Sequence, residues 1–146
     1  MRLNWTVLKK PGPAKTIGSF LAINLPELDV QEVKAKVDTG AYNGSLHASR
    51  IKEYTDKHGN TYLKFSPLGS KGRTVKVTNY HKRRVKSSNG VSVSRYAIDT
   101  EVVIMDQAYP ITLTLANRSF MRYKMLLGRK FIRSHGFLVD VNRVSQ

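Results

Sequence analysis

Val33-Lys34-Ala35-Lys36-Val37-Asp38-Thr39-Gly40-Ala41 is the stretch from which the rest of the chain is read. Val33, Ala35 and Val37 alternate with lysines, the period of a strand with one face on a core and the other in water. The strand then runs into Asp38-Thr39-Gly40, and all three residue types are ordinary choices for a turn that ends a strand. Chance supplies an Asp-Thr-Gly in only about three in a hundred chains of this length at average composition. The tripeptide is therefore worth following outward in both directions.

Outward from it, short alternating runs recur with turn signals between them. Ile17 to Leu25 reads as a buried strand, and Lys57-His58-Gly59-Asn60 lies between Tyr54 and Tyr62-Leu63-Lys64-Phe65 as a hairpin turn. Asn89-Gly90 is the strongest hairpin signal, because a tight two-residue turn needs positive φ. It separates Arg73 to Val77 and its continuation from Val91 to Tyr96. Ile98 to Met105 and Tyr109 to Leu115 make a further hairpin around Asp106-Gln107-Ala108. Helix is expected only as a turn around Ser45 to Ile51 and at Arg129 to Ser134, with Phe137-Leu138-Val139 as a last strand. Six to nine short strands with little helix predict a mostly β barrel or sandwich.

The chain has 146 residues, enough for one domain that buries about two-thirds of its unfolded surface. Residues 1–16, with Pro11, Gly12 and Pro13 among basic residues, read as an extended arm, and residues 17–146 as the domain. Cysteine is absent, so disulfides, thiolate nucleophiles and Cys-ligated metals are excluded. His47, His58, His81 and His135 are scattered without ligand spacing, and there is no H-E-x-x-H, no phosphate-binding G-x-x-x-x-G-K-[ST] and no G-x-S-x-G. No metal and no cofactor are expected, and the chemistry left over is that of a carboxylate. No run approaches the ~18–20 apolar residues that span a bilayer. With no cysteine and no convincing signal peptide, a cytoplasmic protein is expected.

A second segment belongs with the first: Met125-Leu126-Leu127-Gly128-Arg129-Lys130-Phe131-Ile132. Together with Asp38-Thr39-Gly40-Ala41 it resembles the retropepsin-like aspartic peptidases. The likeness is closer to a bacterial subfamily formerly labelled ATP-dependent zinc proteases, through Ala35 to Ala41, Ser45-Leu46-His47-Ala48, Arg95-Tyr96, Met121-Arg122 and Met125 to Arg129. It covers about Ile17 to Val141.

The resemblance implies a closed β-barrel of the acid-protease type with one short C-terminal helix, one lobe per chain. It implies that Asp38 is the catalytic residue, in a loop with Thr39, Gly40 and Ala41. Leu126, Leu127, Gly128 and Arg129 would support that loop, and Ser87, Ser88, Asn89 and Gly90 would form a flap. One Asp-Thr-Gly supplies one carboxylate where the chemistry uses two, so a symmetric homodimer is implied. Two carboxylates at the axis share a proton; the charged one activates a water and the neutral one serves as acid. Tyr42 and Asn43 stand where viral relatives carry an acidic partner for the Gly-Arg arginine, so Arg129 has no such partner in the sequence.

Charge completes the reading. Lys plus Arg number 25 against 10 Asp plus Glu, a net +15. Residues 71–95 carry eight cations and residues 118–133 six, with no acid in either run. Such a face steers an acidic peptide or binds nucleic acid phosphates. With only Tyr80 and Tyr96 near the 71–95 run, a stacking platform is not expected there. Some relatives occur alongside ligases that add glutamate tails, which implies acidic or glutamate-rich substrates. The alternative is a non-catalytic basic module that binds acidic protein segments or nucleic acid.

Overall fold

The computed structural model describes residues 15–86 and 89–143. Its strands are β1 (Thr16–Ile17), β2 (Phe20–Leu25), β3 (Val30–Asp38), β4 (Gly44–Thr55), β5 (Thr61–Pro67), β6 (Val75–Val77), β7 (Tyr80–Lys86), β8 (Ser92–Ile104), β9 (Gln107–Ala116), β10 (Met125–Gly128) and β11 (Leu138–Val139). The helix α1 (Arg129–Ser134) and a 3-10 turn at Pro26–Leu28 are the helical elements among the described residues. The mostly β class and the single short C-terminal helix agree with the sequence reading.

The strand pairings close on themselves: β10–β3–β2–β8–β9–β4 and back from β4 to β10. The expected closed barrel thus takes the form of a ring of six strands, whose weakest seam, β2 to β8, rests on the pair Asn24–Val103. Inside it, Leu21, Ile23, Leu46, Ile98, Leu113 and Leu127 are buried to within 1% exposure. Their alternation along each strand is what one apolar face per strand requires. Beyond the ring, β5 and β6 extend β4, and β7 pairs with β8 from Tyr80–Ile98 to Lys86–Ser92. A separate parallel pair, β1 with β11, ties the two ends of the domain together.

Several local expectations change. Ser45 to Ile51 is strand rather than a helical turn, because Gly44 to His47 pairs with Leu113 to Ala116 and fills the ring from that side. The stretch Ile17 to Leu25 is broken at Gly18-Ser19 into β1 and β2; a Cβ on Gly18 would lie 2.6 Å from the Arg143 carbonyl oxygen, so the backbones meet too closely for a continuous strand with side chains. Val75–Val77 does not form the hairpin with Val91 to Tyr96; it pairs with β5, and β7 takes that place. Lys15 and Thr16, assigned to the arm, are docked: Lys15 Nζ donates to Gln107 Oε1 and to the Tyr109 hydroxyl. Residues 1–14 of the arm lie outside the described residues, as do Ser87 and Ser88 of the expected flap. Among the described residues no helix is long and apolar enough to cross a membrane.

Candidate active site

The ring places β10 between β3 and β4, parallel to β3 and antiparallel to β4. In this register Leu127 lies opposite Val37 and Gly128 opposite Asp38, so the two sequence motifs meet residue by residue. Leu127 and Gly128 are buried, while Leu126, opposite Ser45, is half-buried. Gly128 is where backbones touch: a Cβ there would stand 2.6 Å from the Tyr42 carbonyl oxygen and 2.6 Å from the Asn43 carbonyl carbon.

Asp38 ends β3 with its side chain half-exposed. The Gly40 N–H donates to Asp38 Oδ1 at 3.0 Å, and the Ala41 N–H donates to the Asp38 carbonyl at 3.2 Å, so the loop folds back onto its own aspartate. A carboxylate held by a backbone N–H keeps one oxygen oriented and leaves the other for a reacting group. The first turn of α1 locks the far side of the loop. Arg129 N–H donates to the Ala41 carbonyl at 2.7 Å and Lys130 N–H to the Tyr42 carbonyl at 3.1 Å.

Arg129, without an acidic partner in the sequence, finds a carbonyl instead. Its Nη1 donates to Thr39 O at 2.9 Å, and the guanidinium lies 5.5 Å from the Tyr42 ring centroid. Tyr42 thus serves as a stacking face for this arginine. Thr39 and Gly40 are exposed and Ala41 is half-exposed, a loop tip open to a partner or a ligand. Of the expected flap, Asn89 and Gly90 are exposed, Gly90 has φ +87°, and the Val91 N–H donates to Asn89 Oδ1 at 3.2 Å.

Two residues that the sequence did not single out, Arg83 and Arg118, join this region. Arg83 on β7 donates through Nη1 to Asn43 Oδ1 at 3.0 Å, which links β7 to the loop that follows Ala41. Arg118 is half-buried; burial lowers its pKa, the Asp38 carboxylate opposes that shift, and the like charge of Arg95 adds to it. No spacing in the sequence marks these contacts, because Arg83 and Asn43 lie 40 positions apart in the chain and Arg118 is more remote still from the Asp38 motif. A cleft of about 410 Å³ lies beside the loop, lined by Asn43, Gly44, Thr112, Lys130, Phe131 and His135 among others, and Asp38 is not among its walls.

His47, within the Ser45-Leu46-His47-Ala48 phrase, is a buried structural residue. Its Nδ1 accepts the Arg118 N–H at 2.8 Å, and Gly69 is bare where a Cβ would meet Nε2 at 2.8 Å. Burial pushes its pKa below the ordinary 6.5; the backbone bond to Ala116 opposes this, and the charges of Lys124 and Arg118 reinforce it. A proton on Nδ1 would also break the bond to Arg118. Because the folded value is the lower one, the unfolded chain takes up the proton first. The stabilisation is then complete above pH 6.5 and is lost as the pH falls below it. Urea midpoints should therefore decline on acidification, and His47→Asn, whose amide oxygen can accept the same N–H, should flatten this part of the profile. Parallel profiles for the two proteins would contradict the assignment.

The sequence profile of a RimB-like family, described as retropepsin-like aspartic endopeptidase RimB, matches residues 17–145. A probable alpha-L-glutamate ligase of Shewanella pealeana is 37% identical over 131 residues, covering 85% of this chain and 28% of the relative. One from Desulfotalea psychrophila is 37% identical over 121 residues, covering 80% of this chain and 26% of the relative. The chain thus spans little more than a quarter of the length of these curated relatives. A crystal structure of a Legionella pneumophila protein of unknown function superposes with a TM-score of 0.73 at 27% identity, covering 92% of this chain and 98% of that one.

Proposed function

The chain belongs to the RimB-like family of retropepsin-like aspartic endopeptidases, and we propose on that premise that it hydrolyses peptide bonds with Asp38. The observation that carries the reading is the register of β3 with β10, which sets Asp38 against Gly128 and leaves its half-exposed carboxylate at the base of an exposed loop. One such carboxylate per chain calls for a second copy, so the working form is a homodimer with Asp38 of each subunit at the two-fold axis. In that form the ionised carboxylate takes a proton from water as the water attacks the scissile carbonyl. The protonated carboxyl donates to the carbonyl oxygen, and a proton then passes to the leaving amine. Thr39 at the loop tip makes contact across the axis, and Gly40 lets the substrate backbone approach without a Cβ. Leu126, Leu127, Gly128 and Arg129 hold the loop from behind, and the β7–β8 hairpin, with Asn89 and Gly90 near its tip, covers the substrate.

The substrate is an acidic or glutamate-rich chain. Two features support this: the net charge of +15, with Arg118 and Arg95 electrostatically linked to each other and Arg118 to Asp38, and the ligase names of the relatives. A ligase that attaches glutamate makes an acidic chain, and a hydrolase domain of matching sequence would act on such a product. Mass spectrometry of glutamate-rich and mixed-sequence peptides after incubation with the protein tests the reading. Cleavage is expected, with kcat/KM on acidic peptides falling as salt rises from about 50 to 500 mM, since the Debye length shrinks from above 10 Å toward a few Å. No products from any peptide by a dimeric preparation would overturn the peptidase reading. Cleavage indifferent to salt and peptide charge would overturn the acidic preference alone.

A further inference from the structure

The β4–β5–β6 extension carries a surface that the sequence did not disclose. On this antiparallel sheet Leu63, Phe65, Val75 and Val77 turn to the core, so Lys64 and Lys76 face solvent. One extra residue on β4 shifts its register between Ser49 and Lys52, and Arg50 there has φ +53°. Such a bulge re-aims the strand beyond it, and here it sets Lys52 opposite Lys64 and Tyr54 opposite Tyr62. Lys64 in turn lies opposite Lys76. Three lysines therefore stand in one cross-strand row beside a pair of tyrosines whose rings stack at 5.4 Å and 12°.

Like charges directly opposite one another repel, and here the ammoniums rest on the rings. Lys52 and Lys64 lie 5.3 and 5.6 Å from the Tyr54 centroid, and Lys76 lies 4.2 Å from that of Tyr62. Asp56 is electrostatically linked to Lys76, but one of its carboxylate oxygens already accepts the N–H groups of His58 and Asn60 in the hairpin turn.

We propose that this face binds single-stranded nucleic acid, with a base stacked on the outer face of each of Tyr54 and Tyr62 and phosphates on Lys52, Lys64 and Lys76. Stacking a base on an aromatic ring is worth more than an exposed cation–π contact, so a base displaces the lysine, which then meets a phosphate. An acidic peptide would draw the same lysines off the rings and put nothing in their place. The surface lies on β5, β6 and the part of β4 beyond its ring pairings at Gly44 to His47, away from Asp38 on β3, and it stands whether or not the chain is a peptidase.

Fluorescence anisotropy with a labelled uridylate of about twelve nucleotides tests this. The double substitution Tyr54→Ala, Tyr62→Ala should weaken binding about a hundredfold, tenfold per base lost, while Tyr54→Phe with Tyr62→Phe should bind within about twofold of wild type. Replacing Lys52, Lys64 and Lys76 by Gln should reduce the slope of log K against log salt by about 2, near 0.7 per phosphate. Thermal melts check that each variant is folded. A basic protein binds any polyanion to some degree, so dependence on the rings decides. Alanine variants that bind uridylate like wild type would overturn the proposal. So would an oligoglutamate of matched charge that competes equally and loses affinity only with the lysine variants, which would make the face an acidic-peptide site.

Discussion

Asp38→Asn is expected to leave a folded, dimeric protein that no longer cleaves peptides. The amide matches the carboxylate in shape and its oxygen can still accept the Gly40 N–H, now 3.0 Å from Asp38 Oδ1, so the loop survives. It cannot take a proton from water. Removing a general base and its partner acid together costs at least about a thousandfold in kcat/KM. Mixing provides a sharper test of the shared site. After subunit exchange, an equal mixture of wild type and Asp38→Asn should show about half the activity of the wild type it contains, because mixed dimers hold one carboxylate and are inactive. Activity that persists in the variant would mean Asp38 is a turn residue. Activity unchanged by mixing would mean that each chain works alone.

Gly128→Ala should produce the largest effect of any single methyl group in the chain's candidate site. The backbone there is extended, with φ −88° and ψ 172°, which alanine adopts freely, so the cost is steric alone. The new Cβ would stand 2.6 Å from main-chain atoms of Tyr42 and Asn43, which have no flexible end to swing aside. Either β10 or the loop must move, and the Arg129 and Lys130 N–H bonds to Ala41 and Tyr42 lengthen with it. Overpacking of this kind costs about 1–3 kcal/mol, and weakening two hydrogen bonds adds about 1 kcal/mol each. At about 2–4 °C per kcal/mol for a chain of this size, the melting temperature should fall by roughly 6–20 °C. The variant that remains folded should lose about a hundredfold in kcat, since the loop carrying Asp38 is displaced by the order of 1 Å. A melting temperature and kcat close to wild type would show that the close approach of β10 does not hold the loop.

The two motifs could be read in the sequence because each is local. A strand with period two that ends in Asp-Thr-Gly-Ala, and a Leu-Leu-Gly that enters a short helix, declare themselves within nine residues each. The hairpin at 57–60 was legible for the same reason, as was the one expected around Asp106-Gln107-Ala108, whose turn is Met105-Asp106 while Gln107 and Ala108 already pair in β9. The misreadings fall where pairing overrides local preference. Ser45 to Ile51 has no strong strand pattern of its own, and it is a strand because β9 and β10 offer it unpaired backbone groups on both sides. Arg129 shows the limit most clearly. Its lack of an acidic partner is visible in the sequence, but its actual partner is a main-chain carbonyl, and every residue carries one of those.

By itself, then, the sequence determined a mostly β domain, one carboxylate motif, its supporting Leu-Leu-Gly segment and an overall positive charge, all properties of residue type and short spacing. The tertiary structure decided which charges act together. It linked Arg118 to Asp38, joined Arg83 to Asn43, and set Lys52, Lys64 and Lys76 in one row by a single bulge in β4. The reason is geometric. Side-chain direction alternates along a strand, so one inserted residue reverses the face of everything beyond it, and no composition or motif records which strand it will meet.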